Sequence, residues 1–396
     1  MAEAREAVIV DTIRTPIGKR KGQLAGWHPT DLLGHALNAL VDRTGIDPGQ
    51  VDDVVTGCVT QVGEQSTNVG RQAWVAAGLP WHVPATTVDR QCGSSQQAIH
   101  FAAQGVIAGA YDLVVACGVE SMTRAPMATN ASGGEGPFSK AWVEAVGGRY
   151  HPTQFEVSQV LAQRYGISRE DMDAYAVESH RRAHEATTSG WFAEEIVPVP
   201  VRDAEGNETG EVMTEDQGIR PGTTLEVLAG LPSAASWDET LAPDITAGNA
   251  SQTSDGAAAM LIADAEVAER LGLPVRARFR HFAVAAEDPW LVLSAPVPAT
   301  KRLLERSGLT VEDLDAIECN EAFAAIALMW QREFQPDPER YNARGGAIAL
   351  GHPLGASGVR LMTTLLHQLE STGGRLGFQT MCEGGGQANA TVIERV

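Results

Sequence analysis

Short aliphatic runs of strand length alternate along this chain with longer stretches in which apolar residues recur every three or four positions, and that alternation predicts an α/β architecture. Ala7, Val8, Ile9 and Val10 make the first strand run. Thr30 then reads as an N-cap, after which Leu32, Leu33, Ala36, Leu37, Leu40 and Val41 share one helical face that Gly45 closes. Further strands are predicted over 51–59, 85–90, 111–119 and 374–382. Small residues mark helix starts at Gly93, Ser94 and Ser95 and again at Gly355, Ala356 and Ser357. The glycine-bounded run 345–351, GGAIALG, reads as an apolar strand that delivers His352 at its end.

Part of this pattern occurs twice. The segment 45–54, GIDPGQVDDV, recurs as 308–317, GLTVEDLDAI, with the glycine, the aliphatic positions and an Asp in register. At the same offset Cys92 falls on Gly355, and the strand 111–119 falls on 374–382. Two similar α/β halves explain so long a repeat better than a solenoid, whose period is roughly 20–50 residues. The stretch 120–249 between them differs in character, with a Gly- and Ser-rich loop at 130–136, a helix pair over 155–189, and a hairpin in which 196–202 and 211–214 flank Glu205, Gly206 and Asn207. A long insertion with structure of its own points to function. The predicted domains are a first half, 1–119 with 250–275, an inserted loop domain, 120–249, and a second half, 276–396.

Three positions in this layout can carry chemistry. Cys92 sits where a strand meets a helix start, whose unpaired N–H groups and positive dipole are expected to favour thiolate over thiol. A single Cys is more often a small buried hydrophobe, but two other segments shift that balance. His352 is a natural base for Cys92. The segment 376–386 ends a strand on Cys382, and Gly384, Gly385 and Gly386 beyond it let backbone approach a substrate closely and offer bare N–H donors. Glu383 raises the pKa of Cys382 by like-charge repulsion where it points inward, and has no such effect where it faces solvent.

Composition narrows the class. At 396 residues with 43% hydrophobic and 20% charged side chains, the chain has enough apolar material for a large core. A formal net charge of −20 without a basic stripe argues against nucleic acid as a partner. Cys58, Cys92, Cys117, Cys319 and Cys382 are odd in number, widely spaced and free of any C-x-x-C pair, so neither a disulfide framework nor a zinc site is indicated. That usage implies a reducing compartment. The first six residues lack the basic and apolar regions of a secretory signal, and no apolar run is long enough to span a bilayer, so a soluble cytoplasmic protein is expected.

The motifs DTIRTPIG at 11–18, GVESM at 118–122, TAGNAS at 246–251 and CNEAFA at 319–324, together with the segments around Cys92, His352 and Cys382, resemble the thiolase family nearly end to end. The resemblance implies an acyl-CoA C-acyltransferase with two repeated halves in five αβαβα layers and a loop domain that covers the site and binds CoA. Cys92 is then the nucleophile, His352 its base, and Cys382 the acid and base at the substrate carbon. His352 and a water positioned by Asn320 are expected to hold the enolate oxygen, and the N–H groups of Cys92 and Gly384 the thioester oxyanion. Ser251 matches the serine near the pantetheine arm and Arg220 the arginine near the adenine, with Gln154 and Phe323 as further substrate-side residues. The helical cluster Arg181, Arg182 and His184 is a second candidate for the CoA phosphates. No metal or prosthetic group is implied, CoA and acyl-CoA are the partners, and a homodimer or homotetramer is expected.

Related readings differ at identifiable residues. A ketoacyl synthase has a second His where this chain has Asn320. A biosynthetic acetoacetyl-CoA thiolase is the other enzyme alternative, although Gln252, Thr253 and Ser254 look more like degradative members. A non-catalytic acyl- or sterol-binding protein on the same scaffold is opposed by the intact Cys92, Asn320, His352 and Cys382. The chain departs from the common pattern at Asp89, at Ser94 and Ser95, at Glu383, and at Gln154 and Phe155, where Met-Gly is usual. With Cys58-Val59-Thr60-Gln61, the Gln154-Phe155-Glu156 segment resembles actinobacterial thiolases acting on bulky, steroid-derived acyl-CoAs. A degradative enzyme preferring medium, branched or ring-bearing 3-ketoacyl-CoAs is therefore expected.

Overall fold

A computed structural model describes residues 5–149, 151–234 and 244–396, so the signal-peptide reading of Met1, Ala2, Glu3 and Ala4 lies outside the described residues. Its strands are β1 (Ala7–Arg14), β2 (Gly18–Lys19), β3 (Asp53–Gly57), β4 (Ala85–Val88), β5 (Leu113–Ser121), β6 (Val199–Arg202), β7 (Glu208–Met213), β8 (Ser254–Asp264), β9 (Ala277–Ala286), β10 (Ala316–Cys319), β11 (Leu376–Glu383) and β12 (Gln387–Arg395). The hydrogen-bonded order is β10-β11-β12-β9-β1-β8-β5-β3-β4, with β2 beside β8, while β6 and β7 form a separate hairpin. β1 and β9 meet only at Val8–Arg278 and Ile9–Ala277. The long sheet is thus two shorter sheets sharing a narrow seam.

The layering follows from strand alternation, since successive side chains point to opposite faces. In β1, Val8 and Val10 join Leu33 and Leu37 of the helix Pro29–Thr44 in an outer core, whereas Ile9 faces a central core. That central core is filled by the helices Ser94–Ile107 and Ser357–Thr372, through Ile99 and Val106 on one and Val359, Met362 and Leu366 on the other. On the far side, Leu303 and Trp330 from the helices Pro296–Ser307 and Ala324–Phe334 close a third core against Phe378 and Val392. Five layers result, with one helix from each half in the middle.

The two middle helices touch backbone to backbone. A Cβ on Gly358 would run into the backbone nitrogen of Gln96, and one on Gly118 into the carbonyl of Gly355. The N–H of Val359 donates to Ser95 Oγ at 3.1 Å across the same contact. Glu120, at the end of β5, ties the halves further by accepting from the backbone N–H groups of Val59 (2.9 Å), Thr60 (3.0 Å) and Gly355 (2.9 Å). The inserted segment contributes the helices Gln154–Arg164 and Arg169–Thr188, each opened by a capping box, Thr153 with Glu156 and Ser168 with Asp171.

Two sequence expectations need correction. Residues 347–350 form a short helix, Ala347–Leu350, rather than a strand, because a four-residue run buried on all sides has no periodicity to separate the two. β10 pairs in parallel with β11, and its other edge carries only an isolated parallel bridge, Ile317 with Tyr341. The first long helix starts at Pro29 with His28 as its cap, the imidazole accepting from the N–H of Thr30, so Thr30 is already inside the helix. Gly45 ends that helix at φ 66°, and Gly308 ends its counterpart at φ 72°, the left-handed geometry glycine favours.

Candidate active site

Cys92 follows β4 on a tight turn. Ser94 Oγ accepts from the N–H of Arg90 (3.0 Å) and donates to the carbonyl of Gln91 (2.6 Å), while Asp89 Oδ1 takes the N–H of Gln91 (2.7 Å). Gln91 is held at φ 49°, a conformation a non-glycine residue adopts only when its surroundings impose it. Asp89, Ser94 and Ser95, the departures around the nucleophile, are thus the residues that fix the turn and its helix contact.

Three loops converge on Cys92. Val59, Met122, Leu354, Leu361 and Met381 pack with it in one apolar cluster, which places the neighbours of His352 and of Cys382 around the thiol. Cys92 is 3% exposed, Cys382 0%, His352 4% and Asn320 1%, so all four lie in a water-poor centre between the halves. Gly384 lies against the side chain of Gln91 in the same turn.

His352 is oriented from both ring nitrogens. Ser357 Oγ donates to the carbonyl of Pro353 (2.8 Å), so it accepts from His352 Nδ1 (2.6 Å), which assigns the ring proton to Nδ1. Nε2 is left as an acceptor facing Asn320 Nδ2 at 3.3 Å. Asn320 Oδ1 is buried and has no partner among the described residues, so it remains free to accept a hydrogen bond from a water. Glu321 locks this region by accepting from Tyr175 Oη (3.0 Å), Ser179 Oγ (2.7 Å) and the N–H of Ile348 (3.2 Å).

The electrostatics overturn one expectation. Burial, followed by the nearby Glu383, pushes the Cys92 thiol up to about 12 instead of lowering it. The helix begins at Ser94, the N–H groups of Gly93 and Ser94 are bonded to the carbonyls of Arg90 and Gln91, and the remaining backbone contribution at Cys92 favours the thiolate without offsetting burial. Burial also pushes Cys382 well above its ordinary range and His352 down to about 3. At rest the site holds two thiols and a neutral imidazole. Glu383 points inward, fully buried, where its charge, once ionised, opposes the thiolates of both Cys92 and Cys382.

The substrate-side residues fall on one flank. Ser251 donates its N–H to the carbonyl of Ala322 (2.9 Å), in a loop and not at a helix cap. Gln252 Nε2 reaches the carbonyls of Gly218 (2.8 Å) and Ile348 (2.9 Å), which brings the segment holding the exposed Arg220 beside the His352 loop. Phe323 meets Phe155 edge to face at 5.2 Å, in the apolar cluster that contains Cys382, and Gln154 opens the helix bearing Phe155. Glu156 serves as the capping-box acid, accepting from the N–H of Thr153 at 2.8 Å. Arg181 is paired with Glu178 and Glu185, and Arg182 with Glu178 and the carbonyl of Tyr341, so these two arginines already have intramolecular partners. Among the described residues no cluster of three or more His, Cys, Asp or Glu could hold a metal ion, and no helix is long and apolar enough to cross a membrane.

Sequence profiles of the thiolase N-terminal and C-terminal domains match residues 7–266 and 273–395. The chain belongs to the thiolase family. This thiolase is 46% identical to a steroid 3-ketoacyl-CoA thiolase of Mycobacterium tuberculosis, over 99% of this chain and 94% of that protein. It is 42% identical to a 3-ketoacyl-CoA thiolase of Bacillus subtilis, covering 98% and 99% of the two. A β-ketoadipyl-CoA thiolase of Pseudomonas aeruginosa is 44% identical over 99% and 100%. The crystal structure of the Bacillus anthracis acetyl-CoA acetyltransferase superposes with a TM-score of 0.89 at 34% identity, covering 99% of each chain.

Sequence reasoning gave no role in the site to Glu321 or Glu120, read Ser357 only as part of a helix start, and read Gln252 only as a mark of degradative members. All four lie in or beside quoted motifs, and the available signal was a polar side chain inside a segment otherwise too apolar to be exposed.

Proposed function

We propose that this thiolase cleaves medium, branched or ring-bearing 3-ketoacyl-CoAs in the degradative direction, releasing acetyl-CoA or propionyl-CoA and a shortened acyl-CoA. The observation that carries the catalytic reading is the convergence of Cys92, Cys382 and the Asn320–His352 pair in one buried centre. His352 Nε2 takes the proton of Cys92 as the sulfur attacks the 3-keto carbon, and Cys92 becomes acylated. Cys382 protonates the departing enolate carbon, whose oxygen is held by His352 and a water on Asn320. Free CoA then takes the acyl group from Cys92, giving ping-pong kinetics, with the thioester oxyanion on the N–H groups of Cys92 and Gly384.

Ser251 and Arg220 are assigned to CoA, and Gln154 and Phe323 to the acyl side, within a loop domain spanning 120–249. The assignment of bulky chains is supported by Phe155, Phe323, Leu291 and Leu293 clustering with Cys382, and by the name of the steroid-active relative. A homodimer or homotetramer in the cytoplasm, needing CoA as co-substrate and no further cofactor, completes the reading. The test is kcat/KM across a panel of 3-ketoacyl-CoAs with free CoA, since pocket contacts report as differential transition-state binding. A ring-bearing analogue is expected to exceed acetoacetyl-CoA by on the order of tenfold or more; a preference for acetoacetyl-CoA would overturn the substrate assignment.

A further inference from the structure

Glu383 is the one charged side chain in the turn after Cys382, and its surroundings are unusual. The residue is fully buried, and neither carboxyl oxygen has a hydrogen-bond partner of normal geometry among the described residues. A buried carboxylate in that situation is costly, and the group keeps its proton instead. The head packs against the nucleophile turn so closely that a Cβ on Gly93 would overlap Oε1. Gly93 is thus required by Glu383 and not by its own backbone, which sits at φ −87°.

The groups around it have other commitments. Arg90, from the nucleophile turn, favours the anion electrostatically but places Nη1 on Gln387 Oε1 at 3.0 Å. From β12, the backbone N–H of Asn389 also favours the anion, without forming a bond of normal geometry to either oxygen. Burial outweighs both and pushes Glu383 well above the ordinary carboxylate range. Cys92 and Cys382 are the two thiols its charge would reach, and Asp89 and Glu120 are the other acids acting on Cys92.

We propose that Glu383 is a positioning residue that works as a neutral carboxylic acid: it seats the nucleophile turn through Gly93 and, while it holds its proton, leaves the space behind Cys92 free of negative charge. Ionisation of Glu383 then adds a further opposition to the Cys92 thiolate beyond the one that burial already sets. The proposal rests on the thiolysis reading only for its kinetic consequence, because the thiol can be examined directly.

The experiment compares iodoacetamide alkylation of Cys92, followed by peptide mapping, in wild type and Glu383→Gln from about pH 6 to about pH 10. With Glu383 protonated at the acid end, the glutamine adds nothing; as pH rises through its titration, the wild-type turn acquires a charge that the variant never has. The ratio of variant to wild-type rate is expected to climb by on the order of tenfold, one pKa unit of Coulombic opposition. The alkaline limb of kcat/KM moves upward in pH to match. Glu383→Met, similar in volume and also uncharged, provides the same comparison where the glutamine variant does not fold. A ratio that is flat or falling with pH overturns the proposal. Absence of turnover on every 3-ketoacyl-CoA removes the thiolysis reading, yet leaves the alkylation ratio to decide on Glu383.

Discussion

At the level of single residues, Cys92 at about 12 and His352 at about 3 mean that both partners rest uncharged at neutral pH, with the proton on sulfur. Moving it to Nε2 creates an ion pair in a buried place, so the transfer is favoured only when a bound carbonyl accepts the sulfur's charge as it develops. Cys92→Ser is expected to abolish both turnover and the acyl adduct, whereas Cys382→Ser still acquires an acyl group from acyl-CoA but fails to cleave the carbon–carbon bond. Intact-mass spectra of the two variants separate these outcomes, and an adduct persisting in Cys92→Ser would refute the assignment. A different buried acid gives a pH prediction. Burial raises Glu318 to about 8 despite Arg360, whose Nη1 lies 3.8 Å away. A carboxyl raised on folding contributes stability that is complete below its unfolded value and is lost as pH rises towards the folded one. The unfolding free energy of wild type, measured by urea denaturation, should therefore fall relative to that of Glu318→Gln between pH 4.5 and about 8, by at most about 1.4 kcal/mol per pH unit, and then level off. Cys92, His352, Cys382 and Asn320 were legible because each sits in a segment of small residues that has few other uses. The inward direction of Glu383 was not, because β11 is buried on both faces and alternation along it names two sides without saying which is wet.

Helices and strands show the same division. The helix Ser94–Ile107 was readable from its glycine and serine start, and the pair Gln154–Arg164 and Arg169–Thr188 from apolar spacing and caps. Ala347–Leu350 was not, since its residues are apolar whichever way they fold and its helical form is fixed by Glu321, which binds the N–H of Ile348 from another part of the chain. What joins the elements is close backbone approach. Gly358→Ala would push the helix Ser357–Thr372 off Gln96, and overpacking of this kind costs about 1–3 kcal/mol or more. Urea denaturation should register that loss. Thiolysis should decline beyond what the unfolded fraction explains, because Ser357, which orients His352, begins the displaced helix. Stability unchanged within experimental scatter would show that the contact can relax.

Across the whole molecule, the repeat announced two halves but not how completely each depends on the other. The helix Ser357–Thr372 packs its Val359, Met362 and Leu366 in a core shared with Ile9, Val114 and Met260 of the first half, and Glu120 closes on the N–H of Gly355. Fragments 1–272 and 273–396, produced separately, are expected to show little hydrogen-exchange protection, and their co-expression to restore thiolysis. Full protection in either fragment alone would contradict a shared core. The common offset also pairs each reactive residue with an unreactive one: Cys92 with Gly355, His352 with Asp89, Cys382 with Val119, and Asn320 with Gly57. No reactive group is present in both copies. Each half therefore supplies what the other lacks, and a body with near-twofold repetition holds a single, one-handed reaction centre.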